Sequence, residues 1–471
     1  MSGFLRPALD RFVGWACRGL LGLFFRRVEV VGAERLPEHG PFVVVANHVN
    51  GLLDPMFVLG PLRVPARVLG KSTIWRIPLI AQLADLAGAI PVYRRHDPGV
   101  DSARNVESFE RCFEELARLG MLALFPEGIS HDEPGLQPLR TGAARIAIGA
   151  ERRRGPLGVK IVPVGLVFEA RERFRSRALV VVGEPIDPSE EVRLAESDEA
   201  SAVRRLTDRI AAALARVTLN FSSWEEARLI EFGAGIYQRL HGGEPPRRMA
   251  HEFEARAALA LALGRLRVVH PHEVEAAVIT ARAYEDLLRT VGVTDVQATA
   301  RVPRDLAFAF VARTLARLLL ASPVALLGTL LNLVPYGVVH AISLLLEEQP
   351  NQIATYKLFP ALVLYPATWV GWGVAAASWL GTEAGVALGL VAPFAGWVAL
   401  RWHERRRRLW RESRAVLVLR RRADVAAELL RRRAHVDAAL DRLVALARQL
   451  PSPVPVPSFV RRARSAGMST S

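Results

Sequence analysis

The sequence predicts an α/β fold: a largely parallel sheet flanked by helices, followed by a helical region and a C-terminal membrane hairpin. Three observations carry this. Short β-rich runs alternate with helical patterns from Val28 to about Val182. Strands end abruptly, and helices follow from about Ala200 to Gly292. Uncharged runs then appear, Phe359–Leu380 and Ala384–Leu400. Strand–helix alternation is the signature of parallel sheets covered on both faces, and sites in such sheets gather beyond the strand ends.

The expected strands are Val28–Val31, Phe42–Ala46, Arg67–Leu69, Ala89–Val92, Leu122–Phe125, Ile161–Phe168 and Leu179–Val182. Between them Ile77–Ala84, Asp101–Leu119 and Gly142–Arg154 show helical spacing. These divide the chain into an amphipathic N-terminal helix (1–27), an α/β domain (28–199), a helical region (200–304), a membrane-associated region (305–422) with a hairpin near 359–400, an amphipathic helix (423–450) and a flexible end (451–471).

The chain has 471 residues, a formal charge of +15, a pI near 10.9 and an apolar share of 51%. The sign points to anionic partners, and the apolar share favours lipid over nucleic acid. No aromatic–basic interleaving of the RNA-binding kind occurs, nor a G-x-x-x-x-G-K-[ST] or G-x-G-x-x-G loop, so nucleic acid and nucleotide by the usual loops are not expected. Cys17 and Cys112 sit in unrelated segments without metal-ligand spacing, which predicts neither disulfide nor metal site. At the N-terminus, Leu5, Leu9, Phe12, Val13, Leu20 and Phe24 recur at helical spacing among arginines, a pattern suited to a membrane surface or to a packed helix rather than to a signal peptide.

Phe359–Leu380 is long enough to cross about 30 Å of hydrocarbon, and Gly381-Thr382-Glu383 separates it from Ala384–Leu400. The flank "RWHERRRRLWRESR" that follows is densely basic, which places that end, and the start of the hairpin, in the cytoplasm. Leu318–Leu346 is also apolar but interrupted by Pro323, Asn332 and Pro335, as a re-entrant or interfacial segment would be.

Chemistry concentrates at strand ends. "VVVANHVNGLLDP" runs a β-branched strand into Asn47 and His48, with Asp54 close behind. A histidine there can act as a general base if a carboxylate fixes its tautomer, and Asn50-Gly51 supplies turn chemistry for Asp54 to fold back. "GAIPVYRR" places Arg94 and Arg95 after a strand, and "LALFPEGISH" ends one in Phe125-Pro126-Glu127-Gly128. "LQPLRTGAARIA" sets Arg140 at the mouth of a helix, and "IVPVGLVF" is a further strand. Arginines facing a helix N-terminus suit a phosphate.

Four such blocks in this order resemble the glycerolipid acyltransferase superfamily: Asn47-His48…Asp54, Gly88–Arg94, Phe125–Gly128 and Val162-Pro163-Val164. Pro91 stands where the family more often has a bulky apolar residue, and Val49–Leu53 makes the histidine–aspartate spacing one longer than its commonest form. That longer form is similar to a fungal-type subgroup using glycerol-3-phosphate or dihydroxyacetone phosphate, and to related bacterial proteins. The resemblance implies a membrane-bound O-acyltransferase, with acyl-CoA or acyl carrier protein as co-substrate, a phosphorylated glycerol as acceptor and no other cofactor. It implies His48 as base, Asp54 as its partner, and Asn47, Lys71, Arg94, Phe125, Pro126, Glu127, Gly128 and Arg140 as substrate-binding residues. Glu127 would repel phosphate, so it is expected to orient an arginine or hydroxyl. Lipid is the expected partner and a bacterial inner membrane the expected location, the site facing the cytoplasm. An acyltransferase for another lysophospholipid or alcohol, a non-catalytic lipid-binding scaffold, and a hydrolase are the alternatives.

Overall fold

The computed structural model describes residues 5–76, 78–94, 102–242, 248–300, 304–345 and 352–450. Arg95, the ends of three expected elements (Ile77, Asp101 and Leu346) and the expected tail Pro451–Ser471 lie outside them. The chain forms two compact units: Met1–Ala227 with Arg247–Phe253 and Gln349–Thr355, and the remainder.

Among the described residues the first unit holds seven strands: β1 (Arg27–Val31), β2 (Phe42–Ala46), β3 (Arg67–Lys71), β4 (Ile90–Val92), β5 (Met121–Leu124), β6 (Lys160–Phe168) and β7 (Arg177–Val182). They make one sheet in the order β1-β7-β6-β2-β5-β3-β4. All pairings are parallel except β6 with β7. β2 to β6 therefore end on one edge, and β2 is the middle strand of the seven.

The helices of this unit are α1 (Leu5–Phe24), α2 (Asp54–Leu59), α3 (Pro78–Ala87), α4 (Asn105–Ala117), α5 (Gly142–Arg154), α6 (Ser189–Leu194) and α7 (Glu199–Val217). β2 is buried at every residue, which is why it reads as an unbroken apolar run. Its alternation sends Val43 and Val45 to the face packed by Phe113 and Leu116 of α4, Ile146 and Ile148 of α5, and Leu206, Ile210 and Leu214 of α7. α7 is thus part of this core. Aromatic residues from the end of α1 and the residue after it, from α2 and from β6 form a second cluster: Phe25 packs on Phe57 at 5.4 Å between centroids, and Phe57 on Phe168 at 5.4 Å. α1 buries Leu21 and Phe24 while Phe12, Trp15 and Leu23 stay exposed, so its amphipathic pattern serves packing on one side only.

The second unit is helical. Its helices are α8 (Trp224–Gly242), α9 (Met249–Val269), α10 (Pro271–Val291), α11 (Asp295–Thr299), α12 (Arg304–Leu331), α13 (Leu333–Leu345), α14 (Ile353–Leu380), α15 (Thr382–Arg421) and α16 (Ala423–Arg448), of which α8, α9 and α14 begin in the first unit. Ile236, Tyr284, Leu288, Leu429, Val436 and Leu440 share a core. Beside it Asp295, buried, takes hydrogen bonds from Arg239 Nη2 at 2.6 Å, Tyr284 Oη at 2.8 Å and Arg433 Nε at 2.8 Å. Among the described residues, three helices are long and apolar enough to cross a membrane: Ala309–Leu331 within α12, α14 and α15. Pro323 does not end α12, and Pro360, Pro366 and Pro393 likewise lie inside helices. Of the three expected breakers in the upstream apolar run, only the Asn332–Pro335 region interrupts it.

Candidate active site

The site grows from the end of β2. Asn47, buried, donates through Nδ2 to the Leu166 carbonyl at 3.1 Å and accepts from the Leu166 N–H at 2.7 Å. The amide clamps the end of β2 to β6, so this geometry supports a positioning role for Asn47. His48 follows and leaves the sheet.

The chain then turns back. A 3₁₀ turn, Gly51–Leu53, absorbs the longer spacing, and α2 starts at Asp54 with Pro55 in its first turn. Asp54 is fully buried, and its Oδ2 lies 2.9 Å from His48 Nδ1. The same oxygen accepts the backbone N–H groups of Val49 and Asn50, each at 2.8 Å. A carboxylate oxygen that already accepts two N–H groups has only acceptor capacity to offer Nδ1, so Nδ1 carries the proton and Nε2 is left as the acceptor. The His48 side chain keeps 16% of its exposure, enough for Nε2 to meet a substrate. Its ring stacks on Phe125 with centroids 4.4 Å apart and planes 21° off parallel.

Glu127 does a different job from the expected one. Its Oε1 accepts the backbone N–H of His48 at 2.7 Å, and its Oε2 accepts the Gln137 N–H at 2.8 Å and meets the ring Nε2 of His131. His131 Nδ1 accepts from the Glu133 N–H at 3.1 Å, so the Nε2–H points at Glu127. This carboxylate orients a histidine ring and the backbone of the base, not an arginine or hydroxyl. His131 N–H also donates to the His48 carbonyl at 3.1 Å. The loop after β5 therefore grips His48 through both its backbone groups. Gly128 sits at φ 75°, a left-handed conformation, and a Cβ there would come within 3.1 Å of Arg140 Cγ. Pro126 is buried in the same turn, and its carbonyl accepts the Arg140 N–H at 2.6 Å.

The expected cations share the edge but not the centre. Lys71 ends β3, two strands from β2, and Arg94 follows β4, three strands away. At about 4.8 Å per strand these lie roughly 10 and 14 Å from the strand that carries His48. Asn105 takes both backbone groups of Tyr93, fixing the segment that bears Arg94. Arg140, exposed, leads into α5.

Sequence reasoning missed two residues here. His131 closed the stretch "LALFPEGISH", four positions after the glutamate. Arg171 follows the end of β6, on the active edge. Its Nη1 donates to the Val49 carbonyl at 3.2 Å and to the His131 carbonyl at 3.4 Å, and Nη2 pairs with Asp132. One guanidinium thus ties the His48–Asp54 loop to the loop after β5. Burial pushes its pKa down, and the nearby Glu172 and Asp54 carboxylates only partly restore it. A strand-end position was the only signal.

The histidine–carboxylate couple thus stands at the middle of the parallel sheet edge, with Lys71 and Arg94 on strand ends of the same edge. Residues 27–167 match the family model described as Acyltransferase. Glycerol-3-phosphate O-acyltransferase 1 of Saccharomyces cerevisiae is 26% identical over 330 residues, covering 51% of this chain and 43% of the relative. Glycerol-3-phosphate O-acyltransferase 2 of the same yeast is 34% identical over 135 residues, covering 28% and 18%. The chloroplastic 1-acyl-sn-glycerol-3-phosphate acyltransferase BAT2 of Brassica napus is 29% identical over 144 residues, covering 30% and 38%. The matched region spans less than half the length of each of these relatives. Among solved structures, the 1-acyl-sn-glycerophosphate acyltransferase PlsC of Thermotoga maritima matches with a TM-score of 0.33 at 20% identity, over 44% of this chain and 78% of that one.

Proposed function

We propose that the chain is a membrane-associated O-acyltransferase that moves a fatty acyl group from acyl-CoA or acyl carrier protein to a hydroxyl of glycerol-3-phosphate or 1-acylglycerol-3-phosphate. The observation that carries this reading is the 2.9 Å contact between His48 Nδ1 and a buried Asp54, which leaves Nε2 as a base at the sheet edge. Nε2 takes the acceptor hydroxyl proton as that oxygen attacks the thioester carbonyl. Asp54 stabilises the imidazolium, the tetrahedral intermediate collapses, and the C–S bond breaks. The departing thiolate takes the proton back, giving ester and free thiol. General-base assistance of this kind contributes about 10²–10⁴-fold.

Arg94, Lys71 and Arg140 are the residues we assign to the acceptor phosphate. The roughly 14 Å between the strands of His48 and Arg94 suits two side chains reaching toward each other across a three-carbon phosphate. Asn47, Pro126, Glu127 and Gly128 shape the floor, and Phe125 supports the base. The donor is a cytoplasmic thioester, which places the site on the cytoplasmic face.

The test is an acceptor panel on the purified chain in detergent with labelled acyl thioester. Labelled product with glycerol-3-phosphate or its 1-acyl derivative supports the reading. Product only with another lysophospholipid or alcohol would move the acceptor assignment. Free fatty acid regardless of acceptor would make the chain a hydrolase, and no turnover would leave a lipid-binding scaffold.

A further inference from the structure

The membrane topology can be read from one packing contact inside the second unit. α10 precedes the first apolar helix and α16 follows the last, yet the two lie together. They share the Tyr284, Leu288, Leu429, Val436 and Leu440 core, and Arg432 Nη1 donates to the Ala283 carbonyl at 3.0 Å. Helices packed this way sit on one face of a bilayer, so the chain between them crosses an even number of times. Three complete crossings are excluded.

The depth of each helix shows which ones cross. α14 and α15 form an antiparallel pair around Gly381: a Cβ at Gly385 would collide with the Gly373 carbonyl and Ala377. From Thr382 to Arg401, the first arginine of α15, is about 28 Å of helix, close to the hydrocarbon thickness. α12 packs antiparallel on α15. Trp402 Nε1 donates to the Leu318 carbonyl at 2.9 Å, and Asn332 Nδ2 reaches the Ala392 carbonyl at 3.4 Å. Gly328 lies against the Ala395 carbonyl with no room for a side chain. Ala392 stands about 15 Å along α15 from the hairpin turn, so Asn332 lies near mid-depth.

The chain cannot run straight on from there. α13, with 13 residues, is about 20 Å long. Continued toward the hairpin turn, it would leave Leu345 about 5 Å beyond that turn. Ile353 begins α14, whose 28 residues place it about 42 Å on the other side. Seven residues, or eight Cα-to-Cα steps, separate Leu345 from Ile353 and reach at most about 28 Å. α13 must turn back.

The break is built for a dry environment. Pro335 has no N–H, so the Leu331 carbonyl loses its helical partner; Trp372 Nε1 donates to it at 2.9 Å instead. Asn332, buried, donates to the Gly328 carbonyl at 2.8 Å and accepts from Trp369 Nε1 at 2.8 Å. Interrupted helices are tolerated at membrane depth only where such groups are met. Around this node Leu319, Leu320, Leu330, Trp379 and Leu390 face outward, as a lipid-facing surface does.

We propose that α14 and α15 cross the bilayer, that α12 and α13 form a re-entrant hairpin with Asn332 at its mid-depth apex, and that α10 and α16 share one face. Among the described residues no helix long and apolar enough to cross precedes Ala309. The shared face is cytoplasmic, because Arg401, Arg405, Arg406, Arg407, Arg408 and Arg411 lie where α15 emerges. This assignment does not depend on the reaction catalysed.

The test is labelling by a membrane-impermeant maleimide of full-length chains in sealed membranes of both orientations. Single cysteines are placed at Glu275→Cys, Leu345→Cys, Glu383→Cys and Ala427→Cys; the wild-type chain, whose Cys17 and Cys112 are buried, sets the background. Glu383→Cys should label from one side only, and Glu275→Cys and Ala427→Cys from the other. Leu345→Cys should never label from the Glu383 side. Labelling of Glu275→Cys and Ala427→Cys from opposite sides would overturn the even count. Labelling of Leu345→Cys together with Glu383→Cys would overturn the re-entrant turn, and labelling of Glu383→Cys on the Ala427 side would remove the crossing hairpin.

Discussion

Asp54→Asn separates two ways in which a carboxylate can serve a histidine. One way is to fix the tautomer and the other is to supply charge. In many sites the substitution confounds them, because the new amide rotates and presents N–H to the ring; a wrong tautomer costs about 10⁴-fold. Rotation is opposed here. Oδ2 accepts the N–H groups of Val49 and Asn50 as well as facing Nδ1, so turning an amide N–H toward them would break two hydrogen bonds at about 1–3 kcal/mol each. The carbonyl oxygen should stay in place and the Nδ1–H tautomer with it. What is lost is the charge. A hydrogen bond to an ionised group is worth about 1.5–3 kcal/mol against about 0.5–1.5 for a neutral one, a difference near 1.5 kcal/mol, or about tenfold in rate. Thiol release from acyl-CoA at saturating acceptor should therefore fall about 10- to 30-fold with Michaelis constants little changed. A loss as large as that of His48→Ala, or none beyond twofold, would refute the reasoning.

Other predictions follow from the same geometry. Arg171→Ala should lower kcat about tenfold with Michaelis constants near wild type, since it ties loops together rather than touching substrate; Arg171→Lys should restore part of it, and a rise confined to an acceptor KM would instead make Arg171 a substrate contact. Trp372→Phe leaves the Leu331 carbonyl without its donor, and thermal unfolding in detergent should show a loss of about 1–3 kcal/mol. Gly128→Ala meets a φ of 75° and the Arg140 side chain, so about 1–2 kcal/mol of stability and most of the activity should go. Burial raises the Glu169 carboxyl pKa, but the hydrogen bonds and charge of Arg177 outweigh it and hold the group below its ordinary value. Its contribution is therefore present above about pH 4.3 and fades as pH falls below that. Acid unfolding monitored by circular dichroism should show Glu169→Gln losing less stability than wild type across that interval.

Much of the α/β unit was legible because its signals are local. β2 and α5 fall on their expected bounds: one is a β-branched run closed by Asn47, the other an alanine-rich helix opened by Thr141-Gly142 and closed by three arginines. His48 and Asp54 were readable because chain proximity and turn chemistry suffice to join them. Arg171 was not, since it is joined to Val49 and His131 only by the pairing of β6 with β2. Asn47 and Glu127 were seen, but their backbone contacts were not legible: a buried polar residue beside a site is as readily consumed by backbone as by ligand, and sequence does not show which. Pro323 read as a breaker because soluble helices seldom tolerate proline, whereas apolar helices packed on one another do. The amphipathic helix expected at 423–450 packs its apolar face against α10, a partner that only the folded chain reveals.

The central claim is that the His48 imidazole draws the proton from a phosphorylated glycerol. Its most direct test compares wild type and His48→Ala, purified in detergent, for thiol release that depends on added glycerol-3-phosphate or its 1-acyl form. The account predicts acceptor-dependent release by wild type and a fall of about 10²–10⁴-fold in a folded variant. Equal rates in the two proteins would contradict it.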